Sequence, residues 1–130
     1  MRHAAYATAL IALPMLFASP VTASAQSAGL DQACVAVAKN FLLAPVLTTG
    51  VVQSFPELQP PGARLTYSTR AKPEPSDFTS EINCEFEKAQ APFGLTRFCI
   101  SNTCYSASEQ DEERQRRYRE VKALMDRQQK

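Results

Sequence analysis

The stretch Ile82-Asn83-Cys84-Glu85-Phe86 constrains this chain more than any other. Ile82, Cys84 and Phe86 alternate with Asn83 and Glu85, the period-two signature of a strand with one dry and one wet face. A cysteine stands at the centre of the dry row. A covalent partner for it must come from whatever layer covers that face. The stretch therefore reads as the middle strand of a small antiparallel sheet, tied to a helix.

The start of the chain says where such a bond could form. Arg2 precedes an apolar run over 4–18, and Val21-Thr22-Ala23-Ser24-Ala25 supplies small residues beyond it. This is the three-part pattern of a secretory signal peptide, with cleavage expected after Ala25. The run is too short to cross about 30 Å of hydrocarbon and holds Pro14, which argues against an uncleaved anchor. No cysteine lies near the cut, which argues against lipid attachment.

The expected layout is a signal peptide at 1–25, a helix-plus-sheet domain at 26–105 and a charged C-terminal helix at 106–130. Cleavage removes His3, the only histidine, and Arg2, one of 14 basic residues, which then balance the 13 acidic ones. A balanced chain has no general pull toward nucleic acid or an anionic membrane. No transmembrane segment is expected after cleavage. Cys34, Cys84, Cys99 and Cys104 all fall in the mature part, and an even count in a short exported chain implies disulfides rather than metal ligands.

Leu30, Cys34, Val37 and Phe41 share one face of a helical period, so a first helix is expected over 27–44, capped by Ser27 and ended by Pro45. Gly50, Pro56, Pro60 and Pro61 make 46–62 read as an irregular segment lying against the domain. One Pro-Pro pair is a weak match to proline-rich recognition. Strands are expected over 63–70, 78–87 and 95–100. Ser101-Asn102 makes a two-residue turn that sets Cys104 opposite Cys99. Ser106-x-x-Glu109 matches a capping box, so the last helix is expected to start near Ser106 or Ser108. Glu112 with Arg116 and Glu113 with Arg117 form acid-before-base pairs along it. Tyr118, Val121, Leu124 and Met125 make an apolar stripe in its second half, a candidate partner-binding surface that can dock in cis or in trans.

Four cysteines allow three pairings. Geometry favours Cys34 with Cys84, helix to sheet, and Cys99 with Cys104 across a hairpin. The runner-up joins Cys84 to Cys99 and Cys34 to Cys104.

Catalytic sets are not legible. Without a mature histidine there is no Ser-His or Cys-His pair. Gly-x-Ser-x-Gly, phosphate-loop and dinucleotide patterns are missing from the sequence. Glu85 and Glu87 are the one carboxylate pair on spacing, and exposed strands commonly carry such pairs for solubility. Cys99-x-x-x-x-Cys104 differs from C-x-x-C at a helix start and reads as a structural clip. Arg114, Arg116, Arg117 and Arg119 interleave with acids and read as a solvated helix face, with contact to an anionic envelope component as the alternative.

Phe55-Pro56-Glu57-Leu58-Gln59-Pro60-Pro61, Arg64-Leu65-Thr66-Tyr67, Cys84-Glu85-Phe86 and Gly94-Leu95 resemble a pattern in small uncharacterised exported proteins of alphaproteobacteria, rhizobia among them. The resemblance spans roughly Cys34 to Tyr105. It implies a periplasmic setting and carries no activity, cofactor or catalytic residue.

The fold expected is α+β: an N-terminal helix on a three- or four-stranded antiparallel sheet, with a charged C-terminal helix, stapled by disulfides. The function expected is a non-enzymatic periplasmic binding or accessory protein without a cofactor, acting on a protein or envelope component through the sheet surface and the C-terminal helix. Two alternatives accompany it. One is a secreted inhibitor of an envelope enzyme that presents the loop at 72–77 or 89–94. The other is a small carboxylate-dependent hydrolase.

Overall fold

The computed structural model describes residues 27–129, so the expected signal peptide lies outside the described residues. The first helix, α1, spans Ala28–Leu42. Ser27 caps it in extended backbone, its hydroxyl accepting from the Leu30 amide at 3.2 Å. Leu43 closes it with φ 51, two residues before Pro45. Leu30, Ala33, Cys34, Val37 and Ala38 form its buried face, as the 3.6-residue period requires.

Five strands follow: β1 Thr48–Phe55, β2 Gly62–Ser68, β3 Ser80–Phe86, β4 Leu95–Ile100 and β5 Thr103–Ser106. They pair antiparallel in the order β1-β2-β3-β4-β5, so each strand lies beside its neighbour in sequence. The second helix, α2, spans Glu112–Gln128. Helix α1 packs on β1, β2 and β3, and α2 packs on β4, β5 and α1. Both helices therefore cover one face of the sheet.

The register defines that face. Ala63 opposes Cys84, Leu65 opposes Ile82, Cys84 opposes Phe98, and Phe86 opposes Leu95. Directly opposed residues share a face. These seven side chains, Cys84 shared by two pairs, meet Val37, Tyr118, Val121 and Met125 in one core. Phe41, Phe98 and Tyr105 form a ring cluster with centroids 4.8 to 5.2 Å apart. The guanidinium of Arg117 lies 4.5 Å from the Phe41 centroid and donates to the Phe41 carbonyl at 2.8 Å.

Two expectations about elements need correction. The sheet has five strands, not three or four, because residues 48–55 form β1 and the end of the Cys99–Cys104 hairpin forms β5. Thr48, Thr49, Val51 and Val52 are β-branched and suit a strand. A bulge between Thr49 and Val52 hides the alternation. There the Val51 amide donates to Thr66 Oγ1 at 2.9 Å instead of joining the ladder. A Cβ on Gly50 would stand 2.5 Å from that same oxygen, so the glycine that reads as a strand breaker permits the close approach.

The second correction concerns α2. Its cap is Asp111, whose carboxylate accepts from the Arg114 amide at 2.9 Å, while Ser106 ends β5. Its ion pairs also differ from the expected Glu112–Arg116 and Glu113–Arg117. Arg116 binds Glu113 and Glu120, both at 2.6 Å, and Arg117 lies 3.5 Å from Glu120.

Candidate functional site: the open face of the sheet

The face turned away from the helices carries polar side chains. Arg64 Nε donates to Gln53 Oε1 at 2.8 Å, and its guanidinium carbon lies 5.7 Å from the Phe55 ring centroid. Asn83 donates to Glu81 at 2.9 Å. Arg97 stands 3.8 Å from Glu85, its register partner on β3. Each pair couples adjacent strands or alternate positions of one strand, so the residues are held by the ladder beneath them.

At the β1–β2 end this face turns apolar. Gly50, Val51, Thr66, Pro73, Pro75 and Phe78 line a shallow concavity of about 550 Å³. Val51 is 62% exposed, and Leu58 is 57% exposed after the end of β1. The wall from Pro73 to Phe78 is built rather than loose. A 3₁₀ turn spans Pro75–Asp77, and Asp77 accepts from the Glu74 amide and from Arg70, each at 2.8 Å. The Glu74 amide and the Arg70 guanidinium hold the Asp77 carboxyl below its ordinary range.

At the opposite edge the face bears the second disulfide. Cys99 and Cys104 are register partners on β4 and β5, and both sulfurs lie on the open side. Arg97 Nη2 lies 3.1 Å from Cys104 Sγ. Arg114 Nη1 donates to the Cys104 carbonyl at 3.5 Å and stands 3.7 Å from Glu109. Cys34 and Cys84 form the other disulfide, from α1 to the centre of β3, and are 0% and 2% exposed. The pairing favoured by sequence geometry is thus the one present.

The remaining candidates separate. Tyr118, Val121 and Met125 are buried in the protein's own core, and Leu124 is half-buried. The expectation that this stripe receives a partner is corrected accordingly: three of its four side chains are consumed in cis. Tyr118 donates to the Leu95 carbonyl at 2.8 Å, and burial pushes its phenol up. Asn40 and Gln128 exchange side-chain hydrogen bonds at 3.1 and 3.2 Å, closing α1 on α2. Glu85 is paired to Arg97, whereas Glu87 lies exposed past the end of β3, its carboxylate over Gly94. The two carboxylates thus answer to different neighbours.

The basic cluster is likewise divided. Arg114 turns to the β5 edge and Arg117 to Phe41. Arg116 is held by two acids, one of which, Glu113, is kept ionised to lower pH by it. Arg119 lines an open concavity of about 640 Å³ with Asp111, Glu112, Glu113, Gln115 and Arg116, a mixed-charge surface. Among the described residues no group of three or more His, Cys, Asp or Glu could hold a metal ion. No helix among them is long and apolar enough to cross a membrane.

Sequence reasoning missed Arg97 and the Arg70–Asp77 clasp. The signal for Arg97 was present: Arg97-x-Cys99 on a strand puts both side chains on one face. The clasp had no comparable signal, because two prolines make a loop without stating how it is held.

The described residues form an α+β fold with two helices on one face of a five-stranded meander, one buried disulfide and one surface disulfide. Two disulfides are compatible with an oxidising, exported location. No family model, curated protein or solved structure matches the chain.

Proposed function

We propose that this is a non-enzymatic binding or accessory protein of the periplasm that engages a protein partner through the open face of its sheet. One observation carries the reading: both helices pack on the same face, leaving the other face with ordered ion pairs and an exposed apolar end. A rigid, mixed surface of this kind presents side chains at little ordering cost on binding. The leader-like start, the paired cysteines and the likeness to exported alphaproteobacterial proteins support the compartment.

Site-specific photocrosslinking in cells tests it. A photoreactive side chain at Thr66 is expected to give a discrete crosslinked partner, and one at Lys122, on α2, is expected to give none. Crosslinking from Lys122 alone, or equally from both, would overturn the reading.

The inhibitor reading keeps one specific support, the clasped loop around Pro75–Asp77 with Lys72 and Glu74 exposed. It requires the crosslink to move to Lys72 and the partner to be an enzyme whose activity falls on binding.

A further inference from the structure

We propose that Cys99–Cys104 is a thiol–disulfide exchange site that takes two electrons from a partner's dithiol or, once reduced, gives two to a partner's disulfide, with Cys99 as the attacked sulfur and Arg97 as the group that steadies the departing Cys104 thiolate. The inference does not depend on the binding reading above.

Three observations meet at this bond. The first is access. The bond lies on the open face, and both cysteines are half-buried, whereas Cys34 and Cys84 are sealed in the core. Exchange needs a thiolate to approach a sulfur, so access alone separates the two bonds.

The second is charge. Arg97 Nη2 is 3.1 Å from Cys104 Sγ. A cation there lowers the pKa of the thiol that forms, and a lower leaving-group pKa speeds exchange. Glu85, 3.8 Å from Arg97, and Glu109, 3.7 Å from Arg114, are the facing acids. Arg97 touches the sulfur more closely than it touches Glu85.

The third is that the hairpin does not need the bond. On the other face Phe98 and Tyr105 stack at 4.9 Å, and both meet Phe41 on α1. Helix α2 packs over β4 and β5. The four-pair ladder from Arg97–Ser106 to Ile100–Thr103 keeps the two cysteines opposite each other. Reduced thiols thus stay in register, ready to re-form the bond.

The exchange balances. The partner's thiolate attacks Cys99 Sγ, the sulfur–sulfur bond breaks, and its electron pair leaves on Cys104 Sγ beside Arg97. The partner's second thiol then attacks its own sulfur in the mixed disulfide and releases the Cys99 thiolate. The partner is oxidised to a disulfide, the protein bond is reduced by two electrons, and the partner's two protons end on Cys99 and Cys104. The reverse sequence reduces a partner's disulfide and re-forms the Cys99–Cys104 bond.

The test uses the folded, oxidised protein with dithiothreitol at neutral pH, timed quenching by an alkylating reagent, and peptide mapping. Cys99 and Cys104 are expected to label while Cys34 and Cys84 remain bonded. Arg97→Gln is expected to slow that labelling about three- to tenfold, as loss of a cation worth about one to two pKa units implies. Arg119→Gln is expected to leave the rate unchanged. With glutathione, a monothiol, the trapped adduct is expected on Cys99. Simultaneous labelling of all four cysteines, labelling only on unfolding, an unchanged rate in Arg97→Gln, or an adduct mainly on Cys104 would each overturn the proposal.

Discussion

Cys34–Cys84 and Cys99–Cys104 are made of the same atoms and lie on opposite faces of one sheet. The first joins residues 50 apart in sequence, links two layers and is sealed by the core. The second joins residues 5 apart, links two strands already paired, and meets solvent and an arginine. In the chain-entropy account, closing the long loop is worth about 4 kcal/mol and closing the short one about 2 kcal/mol. The long-range bond restrains the unfolded chain strongly and is inaccessible once folded. The short one adds less stability and remains open to exchange. Position in the fold, not bond chemistry, separates the two.

Several substitutions can break or sharpen that contrast. The largest effect is expected from Cys34→Ala with Cys84→Ala, which should cost about 4 kcal/mol in urea unfolding, a large part of a small domain's margin. A loss below about 1 kcal/mol would remove the distinction drawn here. Phe98→Ala comes next, at about 3 kcal/mol or more, since Phe98 is 0% exposed and joins the ring cluster. It should loosen the hairpin more than Cys99→Ser with Cys104→Ser does, for which about 2 kcal/mol or less is expected. If removing the clip costs more than removing Phe98, the clip holds the hairpin and not the rings.

A smaller effect is expected at the start of α2. Asp111→Ala removes the acceptor for the Arg114 amide and should cost about 1 kcal/mol by thermal unfolding. The smallest concerns acid. The native Asp77 carboxyl is held low by the Glu74 amide and then by Arg70, so its contribution is present in full above the unfolded carboxyl value. It is lost as pH falls through the lower native value, below about 4. The Glu74 amide resonance should therefore shift only in that acid range, with both disulfides intact. A shift centred at or above the ordinary carboxylate value would mean that the clasp is not formed in solution.

How much could be read beforehand depended on whether a signal was local. The alternation around Cys84 gave β3, and the spacing of Leu30, Cys34 and Val37 gave the buried face of α1, because both patterns repeat within a single element. The strand β1 escaped because its bulge shifts the alternation at Gly50 and Val51. The cap of α2 was misplaced because Ser106-x-x-Glu109 and Asp111 both satisfy local capping rules, and pairing of β5 with β4 decides between them. The candidate site was legible in parts. Cys99, Cys104, Glu85 and the sheet surface were singled out, while Arg97 was not.

By itself the sequence determined the number of cysteines, the helical and strand faces, and the lack of a mature histidine if cleavage follows Ala25. These are properties of residue type and short-range period. The tertiary structure alone decided that the stripe from Tyr118 to Met125 turns inward, that both helices choose one face, and that Arg97 rests on Cys104. Each of these depends on which surfaces meet across long stretches of chain. Burial rewards such meetings collectively, so no window of neighbouring residues encodes them.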